Sequence, residues 1–169
     1  MTRVGWTGHR PHFFADPEAA RRAVFRLARD LVEEDDALVF LCGGQRGVDT
    51  WAALAAVDLG VPFVLYLPLP PGRFTEGWDP EDVAVLERLR RAASREEIVD
   101  PTGRLGEEAY RSRNEAIARH CDLLVAVWAG FNAGGTYDTI CRARAHGRPI
   151  RSIQLAPSGA PWRAGERGL

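Results

Sequence analysis

Short apolar runs alternate along this chain with longer stretches whose apolar positions recur every three or four residues. That pattern predicts parallel strands joined by crossover helices. Strands are expected over 3–7, 38–42, 63–67, 97–99, 123–128 and 150–153. The run Leu38-Val39-Phe40-Leu41-Cys42 is apolar throughout, as a strand covered on both faces requires. After Asp16-Pro17, a capping residue followed by a proline suited to the first helical position, Val24, Leu27, Ala28 and Leu31 line up on one helical stripe. A second helix over 48–59 carries Val48, Ala52, Ala55 and Leu59 on one side and stops at Gly60 and Pro62. Further helices are expected over 80–93, 106–120 and 135–146, and residues 68–78, rich in proline and glycine, are expected to form an irregular loop able to act as a lid.

The alternation sets the fold class: α/β, a single-domain, Rossmann-like, doubly wound and mostly parallel sheet with helices on both faces. At 169 residues the chain has enough material for one core, expected over 1–155, with 156–169 a Pro-, Gly- and Ala-rich tail that is flexible or makes an oligomer contact. Hydrophobic content of 46% and charged content of 27% are those of an ordinary globular domain. No apolar run reaches membrane-span length, and the first strand begins too early for a signal peptide, so a cytoplasmic location is expected. The net charge of -1 supplies no global field for nucleic acid, although a local basic groove escapes that sum. All 22 basic residues are arginine. Cys42, Cys121 and Cys141 include no close pair and are expected to be buried thiols. His9 and His12 lack acidic or thiol neighbours, so neither a metal nor a cofactor is expected.

Chemistry concentrates in three glycine-rich turns: Thr7-Gly8-His9-Arg10, Gly43-Gly44-Gln45-Arg46-Gly47 and Gly134-Gly135-Thr136. In a doubly wound sheet such turns fall at the carboxyl ends of strands, where amides and helix N-termini converge on one anion. The candidate ligand residues are therefore Gly8, His9, Arg10, Gly43, Gly44, Arg46, Gly47, Gly134, Gly135 and Thr136. Read one at a time, each turn is equally a tight strand-to-helix connection, with Thr136 a cap and Arg10 a surface residue. In the 106–120 helix, Tyr110, Arg113, Asn114, Ile117 and Cys121 share a stripe, which places an arginine and an asparagine on the inward side. A phosphate would satisfy that buried guanidinium, and so would Asp122, Asp49 or Asp138. Asp49 and Asp138 are the carboxylates within reach of these turns, either as general bases and ribose ligands or as helix-start acids. Trp128, Phe131 and Tyr137 flank the third turn, where they stack on a base or complete the core.

These same residues resemble the SLOG superfamily, the Rossmann-like group that joins DNA-processing protein A, the "lonely guy" phosphoribohydrolases and the YpsA-like proteins. The TGHRP opening is similar to the YpsA-like branch. The segment GGQRGVDTWAA, and RNEAIARHCDLLVAVWAG followed by GGTYDTICRARAHGRPI, resemble DNA-processing protein A. The resemblance implies a nucleotide or nucleic-acid ligand over the strand ends and frequent homodimers. In the phosphoribohydrolases a PGGxGTxxE motif carries a catalytic glutamate, and here Thr139 stands at that position with Asp138 beside it. Arg113 matches the arginine of that group's second motif, whereas its neighbouring lysine is Asn114 here.

Three functions are expected in this order. The first is a nucleotide or nucleotide-derived metabolite binding protein with its phosphate in the strand-end crevice. The second is a nucleoside 5'-monophosphate N-glycosidase using Asp138 or Asp49. The third is a single-stranded DNA-binding module, which the charge balance does not favour.

Overall fold

The apolar runs become strands that lie side by side, with helices packed on the sheet they form. A computed structural model describes residues 1–159 and contains β1 (Thr2–Gly8), β2 (Leu38–Cys42), β3 (Phe63–Leu67), β4 (Arg95–Ile98), β5 (Leu123–Trp128) and β6 (Ile150–Gln154). They form one sheet in the order β4-β3-β2-β1-β5-β6, and every pairing is parallel. The helices are α1 (Pro17–Glu34), α2 (Val48–Leu59), α3 (Pro71–Phe74), α4 (Pro80–Ala92), α5 (Glu107–His120) and α6 (Gly134–Ala145).

Alternation along each strand divides the core. Val4, Trp6, Phe40, Cys42, Val125 and Val127 face α1 and α2, with Leu89 of α4 joining them. Leu41, Val64, Leu124 and Ala126 face α5 and α6 through Ile117, Ala118, Ile140 and Ala143. The sheet is thus covered on both faces, the doubly wound arrangement expected. Among the described residues no helix is long and apolar enough to cross a membrane.

Asp16 caps α1, its carboxylate accepting from the Ala19 amide at 2.9 Å. Replacing Asp16 by alanine is expected to cost about 1 kcal/mol, read as a lower urea midpoint at unchanged slope. An unchanged midpoint shows that the cap contributes nothing.

Several expectations need correction. β4 begins two residues earlier than the apolar pattern suggested, because its start is set by register with β3, where Val64 pairs with Arg95. As a half-exposed edge strand it needs no apolar run. Residues 68–78 are not a free lid: they fold into α3, and Leu69 and Phe74 are buried with Leu67, Leu86 and Ala109. Cys42 and Cys121 are buried, but Cys141 is exposed on the outer side of α6. Where the expected tail begins, the Ala15 N–H donates to the Ala156 carbonyl and the Ser158 N–H to the Phe13 carbonyl, which leaves the tail expectation itself open. Residues 160–169 of that tail lie outside the described residues.

Candidate functional site

The chain builds the sheet outward from β1 in one direction as far as β4, then crosses to β5 on the other side. Loops after β1 and β5 therefore leave in opposite directions, opening a crevice at the carboxyl ends of the two strands. Gly8 makes the junction tight: a Cβ there would run into the Val127 carbonyl of β5 and into Val48 of α2. The loops after β1 and β2 are knitted together as well. The Val48 amide donates to the His9 carbonyl at 3.3 Å, and Gly47 (φ 89°) sits against His9 and Arg10 where a Cβ would collide with backbone.

Of the residues proposed from sequence, Gly8, His9, Arg10, Asp49, Arg113, Asn114, Gly135 and Thr136 line this crevice. Gly43 does not line the crevice itself. A Cβ on Gly43 would collide with the Arg113 guanidinium and with Asp49, so the missing side chain is what admits Arg113. Gly44 packs against Leu67, and Gly134 opens α6 at φ 87°. Amides of the second turn have internal acceptors: Gln45 N–H reaches Asp49 at 3.4 Å and Arg46 N–H reaches the Gln45 side chain at 2.9 Å. Arg46 and Gly47 line a neighbouring groove. The aromatic candidates separate too: Phe131 packs on His9, whereas Trp128 and Tyr137 stack on each other.

Arg113 is the site's buried cation, 4% exposed. Its Nη1 donates to the Gly43 carbonyl and its Nε to Asn114 Oδ1. Asp49 Oδ2 lies 3.7 Å from Nη1, a charge pair without a hydrogen bond. Among the described residues Nη2 finds no hydrogen-bond acceptor. The other two carboxylates considered for Arg113 are occupied: Asp122 by Arg3 at 2.8 Å, and Asp138 by Arg142 at 2.8 Å and Asn114 at 3.1 Å. Asp138 is not among the residues that line the crevice.

Burial lifts the Asp49 carboxyl to about 6, against the pull of Arg113 and the Gln45 amide. Burial also draws the Arg113 guanidinium down, opposed by Asp49 and Tyr110, yet a guanidinium stays protonated throughout. His9 is pushed to about 4 by burial, with Arg10 and His12 adding repulsion, and is neutral at physiological pH. Its ring is walled by Phe13, Phe14 and Phe131. Nδ1 lies 3.4 Å from the Thr136 hydroxyl, and Nε2 is buried without a partner among the described residues. Thr139 donates its hydroxyl to the Gly135 carbonyl at 2.8 Å, so that position offers no ionisable group.

Sequence reasoning missed Thr7, Gln45 and Thr139, which also line the crevice. The signal available for Gln45 was its place inside the second turn. Thr7, the last residue before Gly8, reads as strand.

No family model matches the sequence, and no curated protein matches it. Solved structures do share the backbone. DNA processing protein A from Streptococcus pneumoniae is 19% identical and superimposes with a TM-score of 0.69 over 98% of this chain, which spans only 53% of that protein's length. DNA processing protein A from Helicobacter pylori, described for its single-stranded DNA binding mode, is 16% identical with a TM-score of 0.62 over 99% of this chain and 68% of its own. The structural-genomics target TM1055 is 20% identical with a TM-score of 0.60, covering 89% and 72%. The arrangement of strands and turns is therefore a Rossmann-like α/β fold, shared with these solved structures.

Proposed function

We propose that this protein binds a nucleotide or nucleotide-derived metabolite, gripping one phosphate at the β1–β5 crevice. One observation carries the reading: a buried guanidinium, aimed at a strand-end crevice, keeps Nη2 without an acceptor among the described residues. Such a group is stabilised by an oxyanion, and bidentate contact with phosphate is what the planar fork suits. Asn114 and Thr136 offer further polar contacts, while the neutral His9 adds no charge of its own.

The neighbouring carboxylate makes binding pH-dependent. A bound anion raises Asp49 further, so affinity is about tenfold greater near pH ~5, where Asp49 is protonated, than near pH ~8. Calorimetric titration with nucleoside 3',5'-cyclic monophosphates tests this, because a phosphodiester keeps its single charge across that range. Binding that is absent at millimolar concentration, or flat with pH, counts against the site.

A carboxyl poised at about 6 beside a cation also suits general acid–base work. That observation favours N-glycosidic hydrolysis as the second reading, with Asp49 rather than Asp138 as the base. Release of free base by wild type, and its disappearance in Asp49→Asn, separates catalysis from binding. A single-stranded DNA ligand, the subject of the Helicobacter pylori structure, predicts a steep fall of oligonucleotide affinity with salt.

A further inference from the structure

The crevice is too small to hold a whole nucleotide: its free volume is about 30 Å³, whereas small-molecule sites generally span about 300 Å³ or more. Directly across the loop after β1 lies a groove of about 310 Å³, bounded by α1, α2 and α4. Arg10 lines both spaces. The floor of the groove is apolar, made by Trp51, Leu54 and Val85, and its rim carries Arg21, Arg46 and His12 against one carboxylate, Asp82.

The state of two of these arginines is unlike that of the protein's carboxylate-paired arginines. Arg3, Arg90, Arg142 and Arg151 each grip a carboxylate. Arg46 instead lies over the Trp78 ring at 4.9 Å, and Arg21 lies over Phe25 at 4.8 Å. Neither makes an ion pair among the described residues, and Arg46 Nε is buried with no acceptor. Aromatic faces hold the guanidinium planes in place while leaving their N–H edges for an external acceptor.

We infer that the groove is the second half of the ligand site, taking the body of the nucleotide over Trp51 and a second phosphate, remote from the first, between Arg21 and Arg46. The ligand class is thus a nucleotide bearing two separated anionic groups. This rests on the phosphate reading of the crevice, which it deepens. Such a ligand places one phosphate on Arg113, passes Arg10, and delivers the other to the outer arginines.

The test compares ribonucleoside 5'-monophosphates with the corresponding 3',5'-bisphosphates by calorimetry, in wild type, Arg21→Ala and Arg21→Glu. Arg21 lies on the surface of α1, away from the crevice, and circular dichroism verifies that both variants keep the fold. In wild type the bisphosphate should bind about tenfold tighter, the gain of one charged hydrogen-bonded contact. Arg21→Glu should erase that gain while monophosphate affinity stays within about twofold. Equal affinity of the two ligands for wild type, or a gain that persists in Arg21→Glu, overturns the groove and leaves the crevice standing. Should monophosphates fail to bind while bisphosphates bind in an Arg21-dependent way, the crevice reading falls and the groove remains. No binding of either ligand removes both.

Discussion

Gly8→Ala is expected to destabilise the protein by about 3 kcal/mol or more, or to prevent folding altogether. The added Cβ would meet the Val127 carbonyl oxygen and the Val48 side chain. Neither neighbour can yield cheaply: the carbonyl belongs to β5, which is paired with β1 through Gly8↔Val127, and Val48 is fully buried at the start of α2. Relief therefore means separating central strands or lifting a helix off the sheet. For a domain of this length the loss appears as a fall in Tm of about 6–12 °C. Gly72→Ala is the matched control, since a Cβ there meets nothing within 4 Å. If both variants melt with wild type, the close approach at the switch point is not where the strain lies.

Arg113→Ala should lower phosphate-ligand affinity by about 100-fold, because the variant loses a charged donor in a desolvated site. It should also destabilise the free protein in a pH-dependent manner. Asp49, already lifted to about 6 by burial, loses the cation that opposed that rise and moves higher. A carboxyl whose folded pKa exceeds its unfolded value has its stability fully present below the unfolded value and loses it as pH rises through the folded one. Wild type thus loses stability between about 4 and about 6, while Arg113→Ala goes on losing it above that window. The two proteins converge in stability as pH falls below about 5 and diverge by about 2 kcal/mol near pH ~8. Adding Asp49→Asn to Arg113→Ala should restore much of that stability without restoring binding. Denaturant midpoints across pH, measured beside calorimetry, separate the two effects. An Arg113→Ala protein that binds nucleotide like wild type removes the phosphate role.

The inward stripe of α5 was legible because helical periodicity is local: Arg113 and Asn114 share the side of Ile117, and all three are buried. The three turns were legible for a similar reason, glycine following an apolar strand. Turn chemistry did not reveal which way each side chain points. Arg46 and Asp49 stand in the same loop region, yet Asp49 enters the crevice and Arg46 turns to Trp78. That choice depends on α4 and the segment before it, which bring Trp78 alongside. Asp138 looked equivalent to Asp49 as a helix-start acid until α5 and α6 packed together and Arg142, one helical turn along, took its carboxylate. The edge strand β4 escaped the apolar pattern because a half-exposed strand is held by pairing rather than by hydrophobic burial.

By itself the sequence determined the fold class, the sites of the strand-end turns and the presence of a cation on an inward helix face, all consequences of periodicity and backbone sterics within a few residues. Tertiary structure alone decided that Gly43 is small to admit Arg113, that Asp49 rather than Asp122 or Asp138 faces that cation, and that a second arginine-rimmed groove adjoins the crevice. Those facts join residues far apart in the chain, and only strand order and helix packing set the distances between them.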